Sequence, residues 1–202
     1  MKLSKERILP LSLTAFVILI DQLSKAFIVK NWPEMGLIKD VFNNNFLWIF
    51  HVRNKAIAFS LGDNLPDILR PLVFIAIPIL VLIFLLWYYL KSDEFTRLQR
   101  WAAASIMGGG FGNIIDRVFR PDGVVDFISV RFYGIFGMDR WPTFNFADSA
   151  VVVGCITLLI TMIIFPQKAK EAEVTENTVT ARINTNDSES QDINTEENST
   201  NE

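Results

Sequence analysis

The sequence has one cysteine and one histidine among 202 residues, and these two shortages exclude several kinds of site. A single Cys155 excludes a disulfide framework, and neither Cys155 nor His51 can build a zinc site of the usual kind, which needs several such ligands. Metal binding through carboxylates alone stays open. A Ser-His-Asp or Cys-His arrangement would depend on His51, which lies in an apolar run with no acid or nucleophile beside it. The reactive groups that remain abundant are carboxylates.

Long hydrophobic runs, by contrast, are plentiful. Four segments come close to the roughly 20 apolar residues that a membrane-spanning helix needs, namely 8–28, 69–90, 101–119 and 145–165. We therefore expect an α-helical membrane protein with four transmembrane helices. The first segment follows a basic start, as in a signal peptide, but no small-residue cleavage site follows, so we interpret it as a retained helix. Pro71 and Pro78 predict a kink in the second segment.

Charge predicts the orientation and a separate tail. Basic residues precede the first segment, occupy the short loop after the second and follow the fourth, which places both termini in the cytoplasm by the positive-inside rule. They are Lys2, Lys5, Arg7, Lys91, Arg97, Arg100, Lys168 and Lys170. Residues 166–202 carry nine acidic residues and little hydrophobicity, which predicts a disordered cytoplasmic tail. Without that tail the chain is only slightly basic, and nucleic acid is not indicated as a partner.

Polar residues interrupt three of the four segments. Asp21 and Lys25 lie near the end of the first, Asn113, Asp116 and Arg117 lie on one helical face at the end of the third, and Asp148 opens the fourth. Since successive spans alternate in direction, these groups gather at one surface, the outer one. An ionisable group inside a span costs at least ~2.5 to 3.5 kcal/mol and usually marks a functional path or a pair.

Each of these residues also has a structural interpretation. Asp148 can stabilise the N-terminus of its helix, and Asp21 can form an i,i+4 ion pair with Lys25 as readily as it can contact a substrate. Arg117 can pair with Asp116 or Asp21, and the glycines beside Asn113 can serve helix packing alone. Asp126 lies between Val125 and Phe127, where water is scarce.

Two outer segments connect the spans. Residues 46–52 form an aromatic and β-branched run, which predicts a strand. Residues 54–60 are predicted to form a loop or a second strand. Residues 128–133 alternate between apolar and polar, which predicts a strand with one apolar face. We expect a small periplasmic β-sheet cradle on the outer surface.

Two carboxylates that share a site cannot both ionise comfortably, so one can hold a proton while the other deprotonates water. Asp126 and Asp148 fit that requirement and predict a peptidase. An alternative is a small membrane transporter or proton-relay subunit, since intramembrane carboxylates also form relays. A third is a scaffold in which the charges only pair.

Five motifs, in this order, resemble the sequence boxes of the bacterial lipoprotein signal peptidases, or signal peptidase II. They are Asp21-Gln22-Leu23-Ser24-Lys25, Asn54 with Ala58-Phe59-Ser60, residues 109–117 (GGFGNIIDR), Val124-Val125-Asp126-Phe127, and Phe144-Asn145-Phe146-Ala147-Asp148. The chain departs from the family at Ala56 and Ile57, and its segment from Arg131 to Arg140 is long for the family. The resemblance covers a four-span core within residues 1–165.

The resemblance implies an aspartic-type endopeptidase of the bacterial inner membrane, with its active site at the outer leaflet and no metal or cofactor. It implies that Asp126 and Asp148 form the catalytic dyad. Asn54, Asn113, Arg117 and Asn145 would line the site, and Asp21, Lys25 and Asp116 would support the helices. The implied substrates are diacylglyceryl prolipoproteins, cut just before the lipidated cysteine. The other implied partners are membrane lipids and inhibitors of the globomycin type, and we expect a monomer.

Overall fold

The computed structural model describes residues 5–54, 66 and 69–164. The chain divides into two compact units, Met1–Thr161 and Met162–Glu202, and the site lies in the first. Its helices are α1 (Lys5–Ile8), α2 (Leu11–Asn31), α3 (Ile77–Lys91), α4 (Arg97–Phe119) and α5 (Phe146–Ile164), and its strands are β1 (Gly36–Asp40), β2 (Leu47–Asn54) and β3 (Val124–Val130). The expectations for most of residues 54–60 and for the tail at 166–202 lie outside the described residues.

Three of these helical segments are long and apolar enough to cross a membrane. They are Lys5–Asn31, Leu72–Lys91 and Phe146–Ile164. In α2, the first of these segments, the pattern of burial is the reverse of that in a water-soluble protein: charged side chains are buried and large apolar side chains are exposed. In α2 the buried residues are Asp21, Lys25 and Ile28, whereas Phe16, Leu19, Leu23 and Phe27 are exposed. An apolar outer surface around a polar interior suits a helix surrounded by lipid.

The two prolines of the second segment frame an irregular turn. Residues Leu72–Ala76 form a π-helix that begins after Pro71 and leads directly into α3. Pro78 has no N–H to donate to the preceding turn, and the amide of Ile77 bonds to the carbonyl of Leu72, five residues back. The helix therefore continues through a widened turn, as expected of a kink rather than a break.

The three strands form one antiparallel sheet in the order β1-β2-β3. β2 covers most of the predicted run, but β1 was not predicted. The strand predicted at 128–133 is wrong in its bounds, because β3 starts at Val124 and ends at Val130. Its first four residues are all buried, so they show no alternation of apolar and polar residues. The backbone then turns, with a left-handed φ of 54° at Tyr133.

The sheet lies across the ends of the helices. Val125 and Phe127 of β3 form a buried cluster with Ile28 near the end of α2. Further along the strand, Ile128 bridges to Phe144, just before α5. β3 thus contacts both the end of α2 and the residues just before α5.

Small residues bring α4 close to its neighbours. A Cβ built on Gly108 would lie 3.1 Å from the carbonyl oxygen of Thr14 in α2, and one built on Gly109 would lie 2.2 Å from the carbonyl oxygen of Ala147 in α5. Thr14 donates a hydrogen bond to the carbonyl of Ala104 across the first of these contacts. Close backbone approach and interhelical hydrogen bonds are the usual means of helix association in lipid. The packing interpretation of these glycines is therefore supported.

We expect Gly109→Ala to lower stability, because the added methyl group meets backbone that cannot move aside. Gly110→Ala is the matched control, since its Cβ would meet only the mobile end of the Leu82 side chain. Overpacking costs about 1–3 kcal/mol, whereas Gly→Ala in a helix otherwise gains up to about 1 kcal/mol. Denaturant unfolding in mixed micelles should show a clear loss for Gly109→Ala alone. Equal midpoints for the two variants would contradict this account of the α4–α5 contact.

Candidate active site

A fully buried ion cluster lies beneath the sheet. Lys25 Nζ is 2.8 Å from Asp21 Oδ2 and 3.0 Å from Asp116 Oδ2, and none of the three side chains is exposed. The sequence left open whether Asp21 and Lys25 pair internally or meet a substrate. The burial decides for the internal pair, extended by Asp116 of α4.

Each carboxylate of this cluster also holds the backbone next to a predicted dyad residue. Asp21 Oδ1 accepts a hydrogen bond from the amide of Ala147 at 3.1 Å, one residue before Asp148. Asp116 Oδ2 accepts one from the amide of Val125 at 3.1 Å, one residue before Asp126. The ions of α2 and α4 thereby fix where β3 and α5 pass each other.

Gln22 and Arg120 complete the cluster, and the sequence analysis assigned neither to the site. Gln22 Nε2 donates to Asp116 Oδ1 at 2.9 Å and to the carbonyl of Gly112 at 3.0 Å. Arg120 pairs with Asp116 and donates to Gln22 Oε1 at 3.2 Å. The available signals were the place of Gln22 inside the first motif and the i,i+4 spacing of Asp116 and Arg120.

Two asparagines connect the ion cluster to Asp126 and Asp148. Asn113 Oδ1 accepts from Lys25 Nζ at 2.9 Å, and its Nδ2 donates to Asp148 Oδ1 at 2.8 Å. Asn145 Nδ2 lies 3.1 Å from Asn113 Oδ1 and 2.7 Å from Asp126 Oδ1. The amides of Asn113 and Asn145 thus reach both aspartates.

Asp126 lies on β3 and is nearly fully buried. Its Oδ2 accepts from Asn54 Nδ2 at 3.0 Å and its Oδ1 from Asn145. Burial of the carboxyl, and after it the nearby charge of Asp148, raises the pKa of Asp126 to about 7, while the two asparagine amides act in the opposite direction. Near neutral pH this carboxyl can hold a proton or release one.

Asp148 lies in the first turn of α5 and is more accessible than Asp126. Its Oδ2 accepts from the amide of Asn145 at 3.0 Å, and the amide of Asp148 donates to Asn145 Oδ1 at the same distance. This reciprocal pair closes the helix N-terminus. The helix-cap interpretation of Asp148 is therefore correct, but it does not compete with a chemical role. One carboxylate oxygen meets the helix start and the other meets Asn113.

A groove of about 250 Å³ runs beside this constellation. Arg117 lines it, with its Nη1 donating to the carbonyl of Asn113 at 3.2 Å. Asp116 pairs with Lys25 and Arg120, and Asp21 pairs with Lys25, so the proposed internal partners of Arg117 are bound elsewhere. Among the described residues, the lining consists of Asn54, Arg70, Pro71, Phe74, Ile75, Arg117, Arg120, Pro121 and Gly123.

Within residues 5–54, 66 and 69–164, no three His, Cys, Asp or Glu side chains converge in a way that would hold a metal ion. The single histidine makes a contact that stabilises the fold. His51 is buried on β2, with its Nδ1 2.9 Å from the carbonyl oxygen of Trp32. Two carboxyls of unequal burial, joined by amide donors, define a site for acid–base chemistry in a multi-pass membrane protein.

Comparison with known proteins agrees with this class. A family model described as signal peptidase (SPase) II matches residues 13–164. The lipoprotein signal peptidase of Borreliella afzelii (strain PKo) is 49% identical over 153 residues, which cover 76% of this chain and 88% of the relative. That of Treponema denticola is 46% identical over 170 residues, covering 83% and 95%.

Solved structures of membrane enzymes are also similar to this chain. Two structures described as bacterial membrane enzymes, obtained by the in meso method at 2.3 and 1.9 Å, are both 29% identical to this chain, with TM-scores of 0.65 and 0.64. Each alignment covers 76% of this chain, and 87% or 91% of the solved chain. The chain belongs to the signal peptidase II family and is an aspartic-type protease of the membrane. This membership decides against the transporter alternative.

We expect Lys25→Met to destabilise the protein by about 3–5 kcal/mol, because it leaves Asp21 and Asp116 buried without their shared cation. Lys30→Met is the matched control, since Lys30 lies on the same helix but is exposed. Denaturant unfolding in mixed micelles measures the difference. A midpoint for Lys25→Met equal to that of Lys30→Met would show that the cluster does not support the fold.

Proposed function

We propose that Asp126 and Asp148 are the catalytic dyad with which this enzyme removes signal peptides from prolipoproteins. The observation that supports this assignment is the asparagine network that reaches both carboxyls from a fixed ion cluster. In such a pair one carboxylate takes a proton from the attacking water, and the other protonates the nitrogen of the amide being cleaved.

The environments favour different starting roles for the two residues. Asp126 is the more readily protonated of the two near neutral pH, because burial disfavours its charged form and raises its pKa to about 7. Asp148 accepts two N–H hydrogen bonds, one of them from backbone at a helix N-terminus, and these compensate a negative charge. We therefore assign Asp148 as the base that activates water and Asp126 as the acid that protonates the leaving amine. The roles reverse as the enzyme returns to its starting state.

The substrate fits the position of the dyad at the ends of helices. We assign the activity to a core of residues 1–165, with α4 as a fourth span, both termini in the cytoplasm and the dyad at the outer leaflet of the inner membrane. The cysteine of a diacylglyceryl prolipoprotein is held at that leaflet by its acyl chains, so the bond before it is presented at the depth of β3. The groove beside Asn54 and Arg117 can receive the peptide, with Asn113 and Asn145 orienting the dyad. A globomycin-type cyclic peptide would compete for the same groove.

We expect Asp126→Asn and Asp148→Asn each to lower cleavage of a purified diacylglyceryl prolipoprotein at least about 100-fold, since a positioned acid or base contributes 10² or more. Excess chelator should leave the activity of the unaltered chain unchanged. Cleavage is followed by the gel shift of the released mature chain.

Asp122→Asn is the matched control, because Asp122 is exposed in the turn before β3. It should retain activity, and all three variants should unfold like the unaltered protein. Substantial cleavage by either dyad variant would reject the assignment. Loss of activity in chelator would instead indicate a metal site.

The pKa of Asp126 predicts the alkaline limit of activity. As the pH rises through about 7, Asp126 loses the proton that the dyad shares, so kcat/KM should fall by about tenfold per pH unit above that point. Asn54→Ala removes a hydrogen bond that lowers the pKa of Asp126, so the limit should move to higher pH. Rate profiles between pH 5 and 9 test both statements. A limit that moves to lower pH in Asn54→Ala would contradict them.

A further inference from the structure

The end of the sheet far from the dyad has no role in the chemistry described above. Asn54 and Val124 lie at the dyad end of the β2–β3 ladder, and Leu47 and Val130 lie at the other. At about 3.3 Å per residue the two ends are roughly 23 Å apart. Two loops meet at the far end, residues 41–46 and residues 131–141, and we call them together the distal tip.

The two loops of the distal tip form one structure. The amide of Arg131 donates to the carbonyl of Phe46 at 2.8 Å. Arg140 Nη1 donates to the carbonyl of Asn45 at 2.8 Å, and its guanidinium lies 3.8 Å from the centre of the Trp48 ring. Arg140 also bonds to the side chain and carbonyl of Ser129. The tip is therefore fixed to the sheet.

The outer surface of the distal tip is apolar and exposed. Phe136 is 84% exposed, Tyr133 65% and Phe42 58%, and Ile135 and Phe46 are exposed as well. The rings of Phe42 and Phe46 lie 6.3 Å apart, as do those of Phe132 and Phe136. A cluster of large apolar side chains left in water is unfavourable and marks an interaction surface.

Backbone strain keeps these side chains outward. Tyr133 and Phe136 both adopt a left-handed φ of 54°, which costs bulky residues of order 1–2 kcal/mol each. Packing within the described residues does not offset this cost at Phe136, whose ring is almost fully exposed. Strain that persists without internal compensation points to a contact outside the chain.

The composition of the distal tip fits a lipid interface. Arg131 and Arg140 stack on Tyr133 and Trp48 at the base of the tip. The exposed carboxylate of Asp139 lies 3.6 Å from Arg131, so its charge is partly compensated. Aromatic rings with arginine beside them are typical of the headgroup region, where rings stay apolar and cations meet phosphate.

The direction of β3 brings the distal tip to that region. Residues 125–128 of β3 lie against the end of α2 and the residues just before α5, and the strand continues from these helix ends to the distal tip. The apolar outer surfaces of those helices face lipid. The exposed tip is therefore continuous with the membrane boundary of the protein.

We propose that the distal tip is an interfacial anchor that inserts Ile135 and Phe136 among the phospholipids of the outer leaflet. The proposal rests on the proposed topology but not on the dyad. The segment between Arg131 and Arg140 is the part that reaches the lipid.

The test is the depth of a spin label in the full chain, reconstituted in nanodiscs of phosphatidylethanolamine and phosphatidylglycerol. Cys155 is exposed, so Cys155→Ser provides the background. Labels are placed at Phe136→Cys and Ile135→Cys, with Ile160→Cys in α5 as the lipid reference and Asp93→Cys, in the loop after α3, as the water reference. The ratio of collisions with oxygen to collisions with a water-soluble nickel chelate reports the depth.

We expect the ratios at 135 and 136 to lie several-fold above that at 93, towards that at 160. Ratios equal to that at 93 would overturn the proposal. Labels that become protected only after prolipoprotein is added would also overturn it and would assign the tip to substrate contact. Because the label reports depth without cleavage, the result does not depend on which residues form the dyad.

Discussion

The buried ion cluster of Lys25, Asp21 and Asp116 holds α2, α4, β3 and α5 together at one end of the helices. Helices in lipid gain little from the hydrophobic effect when they associate, so packing and polar contacts decide their arrangement. Here three fully buried charges satisfy one another across α2 and α4. The two carboxylates also hold β3 and α5 through the amides of Val125 and Ala147. An isolated charge in this position would be costly, so each member of the cluster depends on the others.

The asparagines lie between the ion cluster and the two aspartates of the proposed dyad. Lys25 meets Asn113, and Asn113 meets Asp148, while Asn145 meets Asp126. A direct ion pair between Lys25 and Asp126 would stabilise the carboxylate and remove the shared proton at neutral pH. Neutral amides fix the geometry and stabilise the carboxylate less than an ion pair would. The site therefore combines the ion cluster with the two aspartates of the proposed dyad.

The sequence predicted the residues of the site better than their partners. Asp21 with Lys25 and the first turn of α5 follow from local spacing, and Asp126 follows from its apolar neighbours. Gln22 and Arg120 contact groups more than 90 residues away, a relation that no local period reveals. β1 (Gly36–Asp40) lacks the aromatic run that identified β2. The predicted start of β3 lay too far along the chain. The first residues of the strand are buried on both faces, and polar and apolar residues alternate only where one face meets solvent.

The sheet connects the distal tip to Asp126, so the position of the tip in the membrane determines the position of Asp126 relative to the lipid. β2 carries Asn54 at one end and leads to the distal tip at the other, and its ladder with β3 holds the two ends in register. A tip inserted among headgroups fixes the height of that end, and the contacts of Ile28 with Val125 and Phe127 fix the other end on the helices. Asp126 then has a defined depth relative to the lipid. On the proposed topology, the acyl chains of the substrate hold its lipidated cysteine at the same leaflet. The proposed dyad and the scissile bond would then lie at one depth before any side chain of the peptide is recognised.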